Sequence, residues 1–201
     1  LQDNITGIIL AGGKAKRLSH TDKALLEFRG QTLLERRVAL LKPLCREIIV
    51  VSNSTNTYRA EGFRVVKDVE EGIGPLMGLY SGLASSKTQR CFVTACDMPF
   101  LKRELFDCLK SYSKTWDSVI PRIGEYVEPL FSFYSVRCLA AIEKALSQKL
   151  RRIVSFFDSV KIRYVEEAEI RKHDRELLSF RNINTIQDLR NAERLAKQLD
   201  A

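Results

Sequence analysis

The sequence predicts an α/β fold, a three-layer α/β/α sandwich around a mostly parallel mixed sheet, on three observations. Short, continuous, β-branched apolar runs recur along the 201 residues, and such runs suit strands buried on both faces. Amphipathic stretches with helical spacing lie between them. The two kinds alternate, which is the pattern of strands joined by helical crossovers.

The first strand candidate, Thr6–Leu10, stops at Ala11-Gly12-Gly13. Leu34, Val38, Leu41 and Cys45 form a helical stripe before the second candidate, Glu47–Ser52, and the short third, Arg64–Val66. Gly74-Pro75 opens the next helix, because proline at a first helical position loses no hydrogen bond. Its stripe is Leu76, Leu79, Tyr80 and Leu83. Arg90–Ala95 is the fourth strand, and Pro99 helps fix the turn after it. Leu101, Leu105, Cys108 and Tyr112 follow with helical spacing. Asp117–Pro121 and Leu130–Tyr134 are the next strands. Leu150, Ile153, Val154 and Phe157 form a further stripe before the last strand, Lys161–Val165. The final helix follows Thr185, an N-cap with Asp188 three residues on, and its stripe is Ile186, Leu189, Leu195 and Leu199. All these stripes are expected to face the core. With no repeat and no Pro- or Gly-rich linker, one domain over residues 1–201 is expected.

Composition narrows the function. The 45% hydrophobic content is ordinary for a globular chain. No apolar run approaches the roughly 20 residues that span a bilayer. Leu1-Gln2-Asp3-Asn4 has no basic leader pattern, so a cytoplasmic protein without membrane association is expected. A net charge of +8 favours anionic partners, or else reflects a generally basic surface. The basic residues are dispersed and no RNP, zinc-finger or KH signature occurs, so nucleic acid is not an expected partner. The five cysteines include no C-x-x-C, which argues against a zinc site or a disulfide framework. His20 and His173 sit in no triad-like setting, so Cys96 is not read as a nucleophile.

Three segments carry chemistry. In an open α/β sheet, ligands bind beyond the carboxyl ends of the strands. Leu10, Ala11, Gly12 and Gly13 lead there, and a backbone without side chains can turn N–H groups toward phosphate. Arg17 and Lys23 add charge, Arg as a fork and Lys as a point. The pattern is neither a P-loop nor G-x-G-x-x-G, and a surface turn with solvated lysines is the alternative. In Ala95-Cys96-Asp97-Met98-Pro99-Phe100, a strand delivers Asp97 to the same edge. A carboxylate there suits Mg²⁺ shared with phosphate oxygens, or else caps a helix. Gly74 and Pro75 start a helix whose N-terminus either faces a nucleotide or is simple punctuation.

The combination of L-A-G-G-x-x-x-R at Leu10–Arg17, D-K at Asp22-Lys23, G-P-L at Gly74–Leu76, C-D-x-P-F at Cys96–Phe100 and N-I-N-T at Asn182–Thr185 resembles the molybdenum cofactor guanylyltransferases, the MobA-like proteins. The resemblance runs from Ile5 to the last helix. It implies a Rossmann-like nucleotidyltransferase fold and transfer of GMP from GTP to molybdopterin or Mo-molybdopterin, with release of pyrophosphate. It implies that the N-terminal half binds GTP and the C-terminal half the pterin acceptor, and that chaperones or molybdoenzymes receive the product. By resemblance, Leu10, Ala11, Gly12 and Gly13 line the nucleotide site and Lys23 binds the phosphates, assisted by Arg17. Asp97 matches a Mg²⁺ ligand, Asp68 a second acidic nucleotide-site position, and Ser52 or Asn53 a polar contact. Arg151, Arg152, Asn182 and Asn184 match acceptor-side positions. The family's paired glycines, Gly12-Gly13 here, accompany guanine. Leu18-Ser19 departs from an apolar residue followed by glycine. Another nucleotidyltransferase of this fold and a non-catalytic nucleotide-binding protein are the alternatives.

Overall fold

The structure, a computed structural model, describes residues 4–11, 22–53 and 62–199. In chain order it contains β1 (Thr6–Leu10), the hairpin β2 (Glu27–Phe28) and β3 (Gln31–Thr32), α1 (Leu33–Leu41), β4 (Glu47–Val51), β5 (Arg64–Val66), α2 (Pro75–Ala84), β6 (Arg90–Ala95), α3 (Arg103–Tyr112), β7 (Ser118–Ile123), β8 (Tyr126–Val127), β9 (Phe131–Ser135), α4 (Leu139–Ser147), β10 (Ile162–Glu166), α5 (Glu167–Ile170) and α6 (Ile186–Leu199).

The main sheet has the order β10-β7-β9-β6-β1-β4-β5, with β8 paired to β7. β5, β4, β1 and β6 are parallel, as are β7 and β10. β9 lies antiparallel between β6 and β7. A parallel return needs a crossover of a dozen or so residues. The β7–β9 connection is shorter than that and holds only β8, so β9 must run back. The sheet is mixed and mostly parallel, as expected, and every strand candidate is present within a residue or two of its expected ends.

Alternation along the buried strands builds two cores. Ile5 and Ile9 face α1 and α3, packing with Leu34, Val38, Leu105 and Phe106. Ile8 faces the other way, with Leu76, Leu79 and Leu83 of α2 and Ile142 of α4. This is the three-layer arrangement. A Cβ added at Gly82 would lie 2.6 Å from Ile8 Cγ2, so this glycine lets α2 sit directly on β1. At the start of α1, Thr32 and Glu35 form a reciprocal capping box.

Three helix expectations need correction. The Leu150–Phe157 stripe is a 3₁₀ segment, Ile153–Ser159, with Leu150 exposed. The helix of that region is α4, upstream, and Lys149 ends it in the left-handed region at φ 61°. In α3 the buried face is Leu105, Phe106 and Leu109, with Cys108 only half-buried. In α6, Ile186 and Leu199 are exposed. Ala192 and Ala196 face the third core with Phe28, Leu33, Phe100 and Ile183, so the small residues allow close approach. The expected cap is present: the Asp188 backbone N–H donates to Thr185 Oγ1, and Asp188 Oδ2 accepts from Thr185 N–H.

Candidate active site

The strand order reverses at β1, which has β4 on one side and β6 on the other. Crossovers leave in opposite directions there and open a crevice at the strands' carboxyl ends. A cleft of about 540 Å³ occupies that place. Leu10, Ser52, Asn53 and Asp68 line it on the β1–β4 side; Lys23, Gly74, Pro75, Asp97 and Asn182 complete the expected residues on its wall. Ala11 is buried, donates its backbone N–H to Val51 O at 3.0 Å, and is not part of the wall. Gly12, Gly13 and Arg17 lie outside the described residues, as does Ser19.

The centre of the cleft is an ion pair. Lys23 Nζ donates to Asp97 Oδ2 at 2.9 Å and to Asn184 Oδ1 at 2.6 Å. Local sequence explains each position. Asp22 Oδ1 accepts from Ala24 N–H and caps a single 3₁₀ turn, Lys23–Leu25, which fixes where the lysine starts. Asp97 is the second residue beyond β6. Its carbonyl accepts from Ile183 N–H at 2.9 Å. Ile183 is buried in the third core, so the asparagines on either side of it are held at the cleft. Asn182 lines the wall and Asn184 meets the lysine. Asn184 therefore does not cap α6; Thr185 does.

On the opposite wall, Asn53 Nδ2 donates to Asp68 Oδ2 and Asn53 Oδ1 accepts from Asp68 N–H, both at 3.0 Å. Asp68 Oδ1 is buried with no hydrogen-bond partner among the described residues. Burial pushes the Asp68 carboxyl above its ordinary value, Asn53 opposes this, and Glu71 adds to the rise. Asp68 as a residue lines the cleft, where a carboxylate is suited to a ligand O–H or N–H. The α2 N-terminus is less open than expected. Leu76 N–H donates to Arg151 O, and those of Met77 and Gly78 to Gly74 O, so they are not free for an anion. Arg151 packs against Gly74 through its Cβ and carbonyl and is off the wall. Arg152 is exposed and off the wall.

Glu128, whose Glu128-Pro129-Leu130 segment matches an acceptor-side x-P segment by resemblance, is also on the wall. Burial raises its pKa, the Leu130 N–H bonded to Oε1 lowers it, and the Asp97 charge raises it further. Burial also pushes the adjacent Cys96 thiol up to about 12, which leaves it protonated and inert.

The described wall thus carries Asp68, Asp97 and Glu128 against a single cation, Lys23. A polyanion would enter such a cleft only with added positive charge. Among the described residues, no group of three or more His, Cys, Asp or Glu could cage a metal. A lone carboxylate with oxygen-bearing neighbours fits a hard cation that takes its remaining ligands from water and phosphate, which is how Mg²⁺ is usually held. No helix among the described residues is long and apolar enough to cross a membrane.

Residues 7–164 match the model of the MobA-like NTP transferase domain. The chain belongs to this family. A "Probable molybdenum cofactor guanylyltransferase" of Pelotomaculum thermopropionicum is 35% identical over 192 residues, 96% of this chain and 93% of that protein. Its namesake in Methanosarcina mazei is 37% identical over 208 residues, 96% and 92% of the two chains. The crystal structure of molybdopterin-guanine dinucleotide biosynthesis protein A from Archaeoglobus fulgidus superposes with a TM-score of 0.83 at 28% identity, covering 96% of this chain and 99% of that one. Membership makes this MobA-like chain a nucleotidyltransferase, and the Lys23–Asp97 cleft lies where an α/β sheet of this topology binds ligands.

Proposed function

We propose that this enzyme transfers GMP from GTP to the terminal phosphate of molybdopterin, or of its molybdenum-loaded form, and releases pyrophosphate. The observation that carries the proposal is the Lys23–Asp97 pair, a cation and a metal-competent carboxylate at the switch point of a MobA-like chain. The names of its relatives supply the choice of GTP and acceptor.

An oxygen of the acceptor phosphate attacks the α-phosphorus of GTP. The new P–O bond forms as the bond to the β-phosphate bridging oxygen breaks, and that electron pair leaves with pyrophosphate. The attacking phosphate is already ionised at neutral pH, so no general base is needed and the inert Cys96 and the absence of histidine from the described wall are no obstacle. What remains is positioning and charge neutralisation. Lys23 exchanges Asp97 for the leaving pyrophosphate, with Asn184 keeping the ammonium in place. Asp68 accepts from an O–H or N–H of the nucleoside. Asp97 would hold Mg²⁺, which supplies charge neutralisation on the phosphates when bound. Leu10, Asn53, Gly74 and Pro75 form the nucleotide side, joined by Gly12, Gly13 and Arg17. Asn182, Arg151 and Arg152 serve the acceptor side. The reaction runs in the cytoplasm, and molybdoenzymes or their chaperones take the product.

The test is pyrophosphate release from GTP, Mg²⁺ and molybdopterin, with the dinucleotide identified by mass. Release that depends on molybdopterin and is lost with CTP supports the proposal. Equal turnover with CTP, or none with molybdopterin, overturns it.

A further inference from the structure

We infer that Arg37, with Arg36 beside it, is a positioning device for Asp97: the two guanidinium groups grip three consecutive carbonyls of the turn that carries the carboxylate.

After β6 the chain runs without regular structure through Met98, Pro99 and Phe100 to α3. Buried carbonyls in such a segment need donors from elsewhere. α1 supplies them. Arg37 Nη2 donates to Met98 O and, at 3.3 Å, to Phe100 O. Arg36 Nε donates to Pro99 O at 2.8 Å, and its guanidinium lies 4.9 Å from the centre of the Phe28 ring. From the other side Ile183 N–H holds the Asp97 carbonyl. Carbonyls 97 through 100 are thus all held, and Asp97 has no play along its own backbone.

The choice of residue points to position rather than packing. Arg37 is 1% exposed, between the core residues Leu34, Val38 and Leu41 of α1. Its Nε and Nη1 have no hydrogen-bond partner among the described residues. A buried, half-satisfied guanidinium is unfavourable where leucine or methionine would fill the same space. Burial lowers its pKa to about 9, while Cys96 and Asp97 oppose that shift.

The inference rests on the metal-holding role given to Asp97 above. Partners that orient a metal ligand typically contribute about 10–100-fold in metal affinity. The test uses the full chain as wild type, Arg37→Met, Arg37→Lys, Arg36→Met and Asp97→Asn. Mn²⁺ titration followed by electron paramagnetic resonance in saturating GTP reads metal affinity, GTP binding in EDTA reads the nucleotide site, and thermal unfolding reads the fold. Arg37→Met is expected to weaken Mn²⁺ binding by about 10–100-fold, with metal-free GTP binding unchanged. Arg37→Lys should recover only part of the loss, because the lysine chain ends one atom short of Nη2, the nitrogen that makes both bonds. Arg36→Met should weaken Mn²⁺ binding in the same direction. Folded Arg37→Met with wild-type Mn²⁺ affinity overturns the inference. Should Arg37→Met not fold, unchanged Mn²⁺ affinity in Arg36→Met overturns it instead. Wild-type Mn²⁺ affinity in Asp97→Asn would refute the role of Asp97, a failure separate from that of the clamp.

Discussion

Replacing Lys23 with methionine removes the one cation of the described cleft wall while keeping most of the side chain's bulk. Asp97 then faces Glu128 without its partner, and Asn184 loses its donor. Breaking a buried pair costs about 3–5 kcal/mol, whereas an exposed pair is worth about 0–1 kcal/mol. The Lys23 and Asp97 side chains retain 20% and 16% of their exposure, between those limits. The expected loss of stability is about 1–3 kcal/mol, which at this chain length lowers the melting temperature by about 2–4 °C per kcal/mol. The response to metal separates this from ordinary destabilisation. With the ammonium gone, Asp97 is open to a hydrated divalent ion. Millimolar Mg²⁺ without nucleotide should raise the melting temperature of Lys23→Met and barely move that of the wild type. Turnover should fall by about 10²–10³-fold, the range for removing one electrostatic contact to developing charge. A variant that melts with the wild type and responds identically to Mg²⁺ would show that the pair does not hold Asp97 as described.

Two further outcomes follow from the geometry. Gly82→Ala gains about 1 kcal/mol of helix propensity, but its Cβ meets the stiff, buried Ile8 at 2.6 Å. Overpacking of about 1–3 kcal/mol outweighs the gain, so urea unfolding should show net destabilisation and weaker GTP binding as α2 lifts from β1; a stabilised variant would contradict the packing. Glu128→Gln tests the raised carboxyl: because burial lifts its pKa above the ordinary 4.5, the folded state keeps a proton that the unfolded chain has lost. The stability of the wild type therefore falls as pH rises from that value through the raised one, and the variant should be the more stable at neutral pH, with the two converging below pH 4.5; equal melting curves at neutral pH would refute the burial argument.

The strands were legible because their signal is local: Glu-Ile-Ile-Val-Val at β4 or Cys-Phe-Val-Thr-Ala in β6 is buried on both faces and needs no partner to be recognised. α4 was not, since Leu-Ala-Ala-Ile-Glu-Lys-Ala buries only Ile142 and Ala145 and shows little stripe. The β2–β3 hairpin turns through Arg29 and Gly30, both at positive φ, and an arginine there carries no turn signal. In the cleft, Lys23 and Asp97 stood out as charges in the loop after β1 and beyond the end of β6, and Asp68 by resemblance alone. Asn53 and Asn184 were named by resemblance alone, without the partners they bind. That Asn184 binds a lysine 161 residues away, and that Arg36 and Arg37 reach the turn after Asp97, depends on α1, β6 and the Asn182–Asn184 segment meeting at one end of the sheet.

The most direct measurement is a crystal structure with Mg²⁺ and a non-hydrolysable GTP analogue. The divalent ion is expected on Asp97, the triphosphate between it and Lys23, and the nucleoside toward Asn53 and Asp68. A triphosphate seated away from this cleft, or an Asp97 still paired to Lys23 with the nucleotide bound, would contradict the account.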